Sequence, residues 1–311
     1  MPQTPDLSVI IVSWNVRDLL ADCLASVHAG APDAEVIVVD SASNDGSAQM
    51  VRERFPWVTL IAERENVGFT RGNNIALARA RGRYVLLLNP DTVVHGDALA
   101  RMVAYMDAHP QVGIVGPRVL NADGSTQSTR RRFPTLAVAF FESTWLQGYA
   151  PRRLLERYYV QDQPDEGTFE VDWVQGCALM ARREVYEQIG GLDEGYVMYS
   201  EELDWCKRAK EAGWRVVYLG EARITHYGGQ SSAQVPARKH IYFQQSKIRY
   251  FRKFHGRAAA WTLRAFLIAS YALQLAQEAA KWALGHKRPM RAERVRTYAR
   301  VLRALTVGGG V

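Results

Sequence analysis

Three cysteines in 311 residues are few, and Cys23, Cys177 and Cys206 lie far apart in the chain. No disulfide framework or cysteine-rich zinc site is expected, and a reducing compartment fits. The first residues, MPQTPDLSVIIVSWN, offer neither a basic start nor a cleavage site, and their apolar run is only strand-length. No signal peptide is therefore expected. No G-x-G-x-x-G follows any predicted strand, so the fingerprint of a dinucleotide-dependent oxidoreductase is missing. Acidic residues are scarce in one place: between Lys247 and Arg303, fourteen Lys and Arg face only Glu278 and Glu293. That segment has a surplus of twelve positive charges, so with +7 overall the rest of the chain is negative by five. Such a tail suits a polyanionic partner, an anionic membrane surface or nucleic acid. A nucleic-acid module would explain the tail but not the acidic clusters in the body, so no nucleic-acid partner is expected.

What is present reads as an ordinary globular chain, with 48% hydrophobic and 23% charged residues. Strand and helix signals alternate through the first third. SVIIVS (8–13), EVIVVD (35–40), WVTLIA (57–62), YVLLLN (84–89) and VGIVG (112–116) read as buried strands. Helices are expected between them: one from Asn15 as N-cap, then Ser47 to Phe55, Thr70 to Ala80 and Asp97 to Ala108. This alternation predicts an α/β fold with a mainly parallel central sheet flanked by helices. Ligands in such folds sit beyond the C-terminal strand ends. Those ends here are polar: Ser13-Trp14-Asn15, Asp40-Ser41 and Asn89-Pro90-Asp91. Residues 117–170 read as an irregular, proline- and aromatic-rich insert, and RVVYLG (215–220) as the final strand.

Five stretches carry chemistry. In VVDSASNDGS (38–47), Asp40 ends a buried strand, where a carboxylate can accept a base N–H or a ribose hydroxyl, while Asp45 or Ser47 can cap the next helix. In ENVGFTRGNNIAL (65–77), Gly68 and Gly72 allow close backbone approach, and Arg71, Asn73 and Asn74 offer donors near a helix start. LLLNPDTVV (86–94) delivers Asn89 and Asp91, suited to Mg2+ or Mn2+ or equally to a simple turn. YSEELDWCKRAKEAG (199–213) crowds Glu201, Glu202 and Asp204 at a helix start, more negative charge than a cap needs. Crowded carboxylates raise one another's pKa, as a general base requires. THYGGQS (225–231) places His226 after a strand, for a structural or a metal and phosphate role.

Taken in order from about Leu7 to Gly256, these motifs resemble family 2 glycosyltransferases of the GT-A fold, and most of all their rhamnosyltransferase-like branch. The resemblance implies a catalytic domain over 1–240 and leaves 241–311 as a basic helical extension. It also implies an inverting transfer of a hexose, rhamnose by similarity, from a dTDP- or UDP-sugar to a hydroxyl of a glycan or lipid-linked acceptor in cell-surface polysaccharide synthesis. Asp40 would contact the base, with Ser13, Asn15, Asp45, Arg71, Asn74 and Asn89 around the nucleotide-sugar. Asp91 and His226 would hold a divalent metal and the diphosphate, and Glu202 would be the base, with Glu201 and Asp204 as alternatives. Trp173, Trp205 and Tyr199 would offer faces to the acceptor sugar, and Arg131, within Arg130 to Arg132, would meet a phosphate. Two departures stand out: Asn89 replaces the first aspartate of the usual metal motif, and Glu202 replaces an aspartate at the base. A sugar-phosphate nucleotidyltransferase is the alternative, although SWNVRD stands where its Gly-rich phosphate loop would be.

In the tail, residues 258–277 hold a single charge, Arg264. That length reaches the roughly 20 apolar residues a bilayer span needs, but Gln274 and Gln277 weaken it. Two expectations follow: contact with the cytoplasmic face of the inner membrane by an otherwise cytoplasmic protein, or a helical pair that builds a homodimer.

Overall fold

A computed structural model describes residues 5–142, 144–228 and 236–307. The chain divides into two compact units. The first comprises Met1–Phe133, Glu156–Glu194 and Glu201–Ser231; the second comprises Pro134–Leu155, Gly195–Ser200 and Ser232–Val311. The expected division at 240–241 thus falls inside the second unit, which also draws in part of the irregular insert.

The first unit is built on a nine-stranded sheet among the described residues. Strands β1 (Leu7–Ser13), β2 (Glu35–Asp40), β3 (Thr59–Ala62) and β4 (Tyr84–Leu88) pair in parallel in the order β3-β2-β1-β4. They are continuous apolar runs because helices cover both faces. The connections are α1 (Arg17–Gly30), α2 (Ser47–Arg54) and α3 (Gly68–Leu77). On α1, Leu20, Cys23, Leu24 and Val27 recur at helical spacing and are buried in the main core with Met102 and Met106 of α4 (Ala98–Ala108). Gly72 of α3 is required by packing: a Cβ there would lie 2.8 Å from Val12 Cγ1 of β1. Helix α3 begins two residues earlier than expected. The Ser41 hydroxyl accepts the Val67 amide and the Asn66 side chain accepts the Gly68 amide, so these side chains start the helix.

The other half of the sheet positions the site. Strand β10 (Ala178–Arg182) lies antiparallel between β4 and β6 (Val112–Leu120). Strand β11 (Arg215–His226) runs parallel to β6 and is longer than the expected 215–220. Its register shifts between Leu219 and Arg223, and its far end pairs antiparallel with β5 (Thr92–Val94), setting His226 opposite Thr92. The break in the ladder lets the far end of the strand turn toward β5. Strand β8 (Thr168–Val171) pairs with β11, while β7 (Arg130–Arg131) and β9 (Trp173–Val174) form a small separate sheet. The directions are mainly parallel: β3, β2, β1, β4, β6 and β11 run one way, and β10, β5 and β8 the other.

The second unit is helical. Helix α9 (Pro236–Ala283) is interrupted at Gly256, where φ 84° and ψ 172° are open only to glycine, and α10 (Arg288–Val307) packs back on it. Glu278 and Arg291 form a buried ion pair at 2.6 Å between the two helices. Helix α5 (Leu136–Phe141) joins this unit through Phe140, whose ring centre lies 4.6 Å from that of Phe266.

Candidate active site

The ends of β1 and β2 lie side by side, with Ser13 in register with Asp40. Asp40 Oδ2 accepts the Ser43 amide at 3.0 Å. Asp40 Oδ1 and Ser13 Oγ are buried without any hydrogen-bond partner. Orphaned polar atoms at a strand end are costly unless a ligand completes them. Asn15 does not cap α1 as expected. It has φ 53°, its amide donates to Ser43 Oγ, and its Oδ1 accepts the Asn44 amide. Asp45 supplies the cap instead: Oδ2 accepts the Arg17 amide at 2.8 Å and Oδ1 accepts the Ser47 amide at 3.0 Å. Burial raises its pKa, but these hydrogen bonds outweigh burial and hold it below the ordinary value. Both of its oxygens already accept hydrogen bonds that tie two loops together.

Beyond β4, the turn Asn89-Pro90-Asp91 is anchored from several sides. The Asn89 amide donates to Cys177 O, and Asn89 O accepts Thr92 Oγ1 at 2.7 Å. The Cys23 thiol lies 3.6 Å from Asn89 O and 3.5 Å from Thr92 Oγ1. Asp91 is buried, and its Oδ1 lies 3.3 Å from Nε2 of His226, which is also 3.2 Å from Asn89 Nδ2. Gln127 fixes the imidazole: its Oε1 is 3.0 Å from His226 Nδ1, and its Nε2 donates to His226 O at 2.6 Å. A hydrogen on Nδ1 leaves Nε2 facing the aspartate. Burial opposes the imidazolium charge, but Asp91 and Cys177 overcome it and push the pKa up to about 10. A divalent cation bound at Nε2 would have to displace the imidazolium's proton from that nitrogen. Asp91, His226 and Asn89 fit Mg2+ or Mn2+ in the mode where few protein ligands share the ion with phosphates. Among the described residues no cluster of three His, Cys, Asp or Glu could hold a metal alone.

The third cluster opens α8 (Glu201–Glu211). Glu201 is buried, and Oε2 of Glu201 and of Glu202 are both enclosed without partners. Burial pushes the Glu201 carboxyl well above its ordinary value, and the charge of Glu202 adds to this. Burial also raises Glu202, but less freely: the amides of Glu202, Gly176 and Leu203 and the charge of Arg131 pull it down. Gly176 packs on Glu202, where a Cβ would meet the Glu202 Cβ at 3.4 Å. Of the pair, Glu202 is the one whose rise these amides and Arg131 oppose. Asp204 is not an alternative, because it is fully buried and its Oδ1 accepts Arg208 Nε at 2.6 Å. Arg208 in turn holds Ile189 O and Gly191 O. The two residues before α8, Tyr199 and Ser200, have φ of 71° and 65°, backbone strain of a kind that clusters at functional sites.

Several other expected contacts are spent inside the protein. Asn74 donates to Leu192 O and Glu194 Oε1 and accepts the Leu192 amide, so it clamps a loop instead of offering donors to a ligand. Trp173 is buried and donates to Arg132 O, and Trp205 is fully buried and donates to Gly190 O, leaving neither an open face for a sugar. Arg131 is buried, donates to Ser128 Oγ and Arg130 O, and lies 4.5 Å from the Tyr159 ring centre. Arg130 pairs with Asp165 at 2.8 Å and Arg132 donates to Glu170 O, so the three arginines do not form an open phosphate site. Arg71 stays largely exposed, with Glu65 4.0 Å away. Tyr199, in the second unit, meets Phe243 edge-on at 5.6 Å. Of the HYGGQS motif, the stretch from 229 onward lies outside the described residues. Gln127 and Gly176 were not singled out from the sequence. Gly176 carries a visible signal, a glycine directly before the apolar run CALM (177–180), whereas Gln127, a lone glutamine in the insert, carries none.

Residues 8–190 match the family described as Glycosyl transferase family 2. The chain belongs to that family. Its fold and its enzymatic class follow: a GT-A fold, and a glycosyltransferase that uses a nucleotide-sugar. Among curated relatives, an N-acetylglucosaminyl-diphospho-decaprenol L-rhamnosyltransferase of Mycobacterium tuberculosis is 28% identical over 246 residues, 75% of this chain and 80% of that protein. Rhamnosyltransferase WbbL of Escherichia coli is 24% identical over 265 residues, 79% of this chain and 92% of that one. Two solved structures share the fold. Mannosyltransferase PcManGT from Pyrobaculum calidifontis, solved with GDP-Man and Mn2+, superposes with TM-score 0.55 at 20% identity over 98% of this chain and 87% of that one. GalNAc-T7, solved with UDP, GalNAc and Mn2+, gives 0.56 at 16% identity over 73% of this chain, and the match spans 44% of its own length. The nucleotidyltransferase alternative gains no support from these relatives.

Proposed function

We propose that the chain transfers a sugar, rhamnose by likeness to its relatives, from a nucleoside diphosphate to a hydroxyl of a lipid-linked acceptor, with inversion at the anomeric carbon. The observation that carries this reading is the presence, in the same compact unit, of the Asp91–His226 cluster and of two enclosed, unpartnered carboxyl oxygens on α8. Asp40 Oδ1 and Ser13 Oγ receive the nucleoside, which completes their missing hydrogen bonds. Asp91 and His226, with Asn89 beside them, hold a divalent ion together with the diphosphate. When bound, that ion stabilises charge on the departing diphosphate. Gln127 holds the imidazole in the orientation that meets it. Glu202 takes the proton from the acceptor hydroxyl, and the amides of Gly176 and Leu203 hold its carboxylate ready. A single displacement by that hydroxyl, opposite the leaving group, accounts for inversion.

The basic tail extends this reading to the cytoplasmic face of an anionic membrane, where a lipid-linked acceptor would be held. Its surplus of twelve positive charges supports it, as does a window of α9 with mean hydropathy 1.2 that is only 28% buried. The test is release of nucleoside diphosphate from dTDP-rhamnose and from UDP-sugars, with and without Mn2+, on a polyprenyl-diphosphate-linked sugar. The anomeric configuration of the product, read by NMR, should be inverted. Pyrophosphate exchange with a nucleoside triphosphate, without diphosphate release, would overturn the reading.

A further inference from the structure

Helix α9 contains a cavity of about 260 Å³ lined by Ile248, Arg252, Arg257, Ala260, Trp261 and Arg264. The break at Gly256 falls between its lining residues. Before the break, Ile248 and Arg252 are four residues apart and share a face. After it, Arg257, Ala260, Trp261 and Arg264 form a second stripe at helical spacing. The bend turns one stripe toward the other, so three guanidinium groups line one hollow. Among the described residues, no acidic side chain lines it. Arg264 is already positioned: its Nε donates to Leu305 O at 2.8 Å, and its Cζ lies 5.3 Å from the Trp261 ring centre. Arg252, Arg257 and Trp261 are exposed, with Trp261 at 64%.

The surface running on from this hollow is unusual for a solvated helix. Ala258, Ala265, Ala269, Ala272, Ala276 and Ala280 are all exposed, and Arg264 is the one charged residue between Ala258 and Gln277. Trp261 stands at one end of this uncharged face and Trp282, 47% exposed, at the other, with Lys281 beside it. Tryptophan and basic residues at the two ends of an uncharged stripe match a helix lying in a membrane interface. Multiple guanidinium groups favour phosphate oxygens, which they bind by paired, charge-assisted hydrogen bonds.

The geometry points to a phosphate-binding pocket at the Gly256 break, in which Arg252, Arg257 and Arg264 take the headgroup phosphate of an anionic phospholipid while the uncharged face of α9 rests on the bilayer. This rests on the membrane reading above and adds a defined site to it. The pocket separates local recognition from general charge attraction, because all basic residues near an anionic leaflet contribute comparable attraction.

The test is co-sedimentation of the full chain with vesicles of phosphatidylglycerol and phosphatidylcholine, and with phosphatidylcholine alone, at fixed ionic strength. Wild type is compared with R252Q/R257Q and with a charge-matched control on α10, R296Q/R300Q, whose residues are also exposed. The pocket variant should bind phosphatidylglycerol vesicles roughly tenfold more weakly than the control. Thermal melting verifies that both variants remain folded. Equal losses in the two variants overturn the pocket while leaving membrane binding intact. No binding by wild type overturns both, and a stable dimer in solution would then identify a second copy as the occupant of the face. A melting shift with inorganic phosphate alone, without vesicle binding, would assign the pocket to a soluble anion and also overturn the proposal.

Discussion

Glu201 and Glu202 are neighbours with the same side chain, yet their surroundings predict opposite outcomes for the same substitution. Glu201 has an enclosed, unpartnered Oε2, and burial and its charged neighbour raise its pKa well above 4.5. Of the two it is the one that burial and its neighbour's charge push further toward the protonated form, and glutamine is nearly isosteric with a protonated carboxyl. Glu201→Gln should leave kcat within about threefold of wild type, because no charge is removed. At Glu202 the amides of Gly176, Glu202 and Leu203 and the charge of Arg131 oppose that rise, so Glu202→Gln removes a base. The loss should be about 10²–10⁴ in kcat, or about 3–5 kcal/mol of barrier, with donor affinity little changed. The assay is steady-state release of nucleoside diphosphate, beside donor binding by calorimetry. The acid limb of the wild-type pH profile should lie above 4.5, since burial raises Glu202, and it should persist in Glu201→Gln. Stability supplies a second readout. A carboxyl with a raised folded pKa contributes stability that is fully present below its unfolded pKa and lost as pH rises through the folded one. Glu201→Gln should therefore resist urea better than wild type at alkaline pH. An inactive Glu201→Gln beside an active Glu202→Gln would refute the reasoning and exchange the roles.

Three further outcomes follow from the geometry. Asp91→Asn should lower turnover by at least about 10²-fold with an unchanged melting temperature at saturating Mn2+, since it removes the carboxylate nearest His226 Nε2; near-normal turnover would count against the cluster as the diphosphate site. Gln127→Leu frees His226 from its clamp and should raise the Mn2+ concentration for half-maximal activity about 10–100-fold while leaving Glu202-dependent pH behaviour intact, which metal titration at two pH values would check. Gly72→Ala gains about 1 kcal/mol of helix propensity but drives a Cβ to 2.8 Å from Val12 Cγ1, so the denaturation midpoint should fall by a net equivalent of about 1 kcal/mol, and a rise would mean α3 can slide.

The parallel half of the sheet was legible because each strand is a short apolar run ending in polar residues, and each following helix shows its own periodicity. Ser13, Asp40 and Asp91 could be placed at the strand ends from that pattern alone. Pairing across long separations could not. Strand β10 enters antiparallel between β4 and β6, and β11 carries on past Leu219 to deliver His226 to β5; both depend on partners far away in sequence. The same limit explains the residues whose expected contacts were redirected. Asn74 finds its partners at Leu192 and Glu194, and Trp173 finds Arg132, none visible from local spacing. Asp204 is different: its partner Arg208 lies one helical turn on, so that pairing was readable in ELDWCKR.

Cys23 lies against the Asn89 turn and Cys206 on α8, and burial pushes each thiol up to about 12. Thiols so protonated and enclosed react with alkylating reagents only when the structure around them opens. The wild-type chain thus carries two chemical clocks that need no engineering. The alkylation rate of Cys23 reports how often the Asn89–Asp91 turn lifts from its helix, and that of Cys206 how often α8 unseats. If a sugar nucleotide slows the first clock and an acceptor slows the second, the order in which the substrates rigidify the enzyme can be read by mass spectrometry.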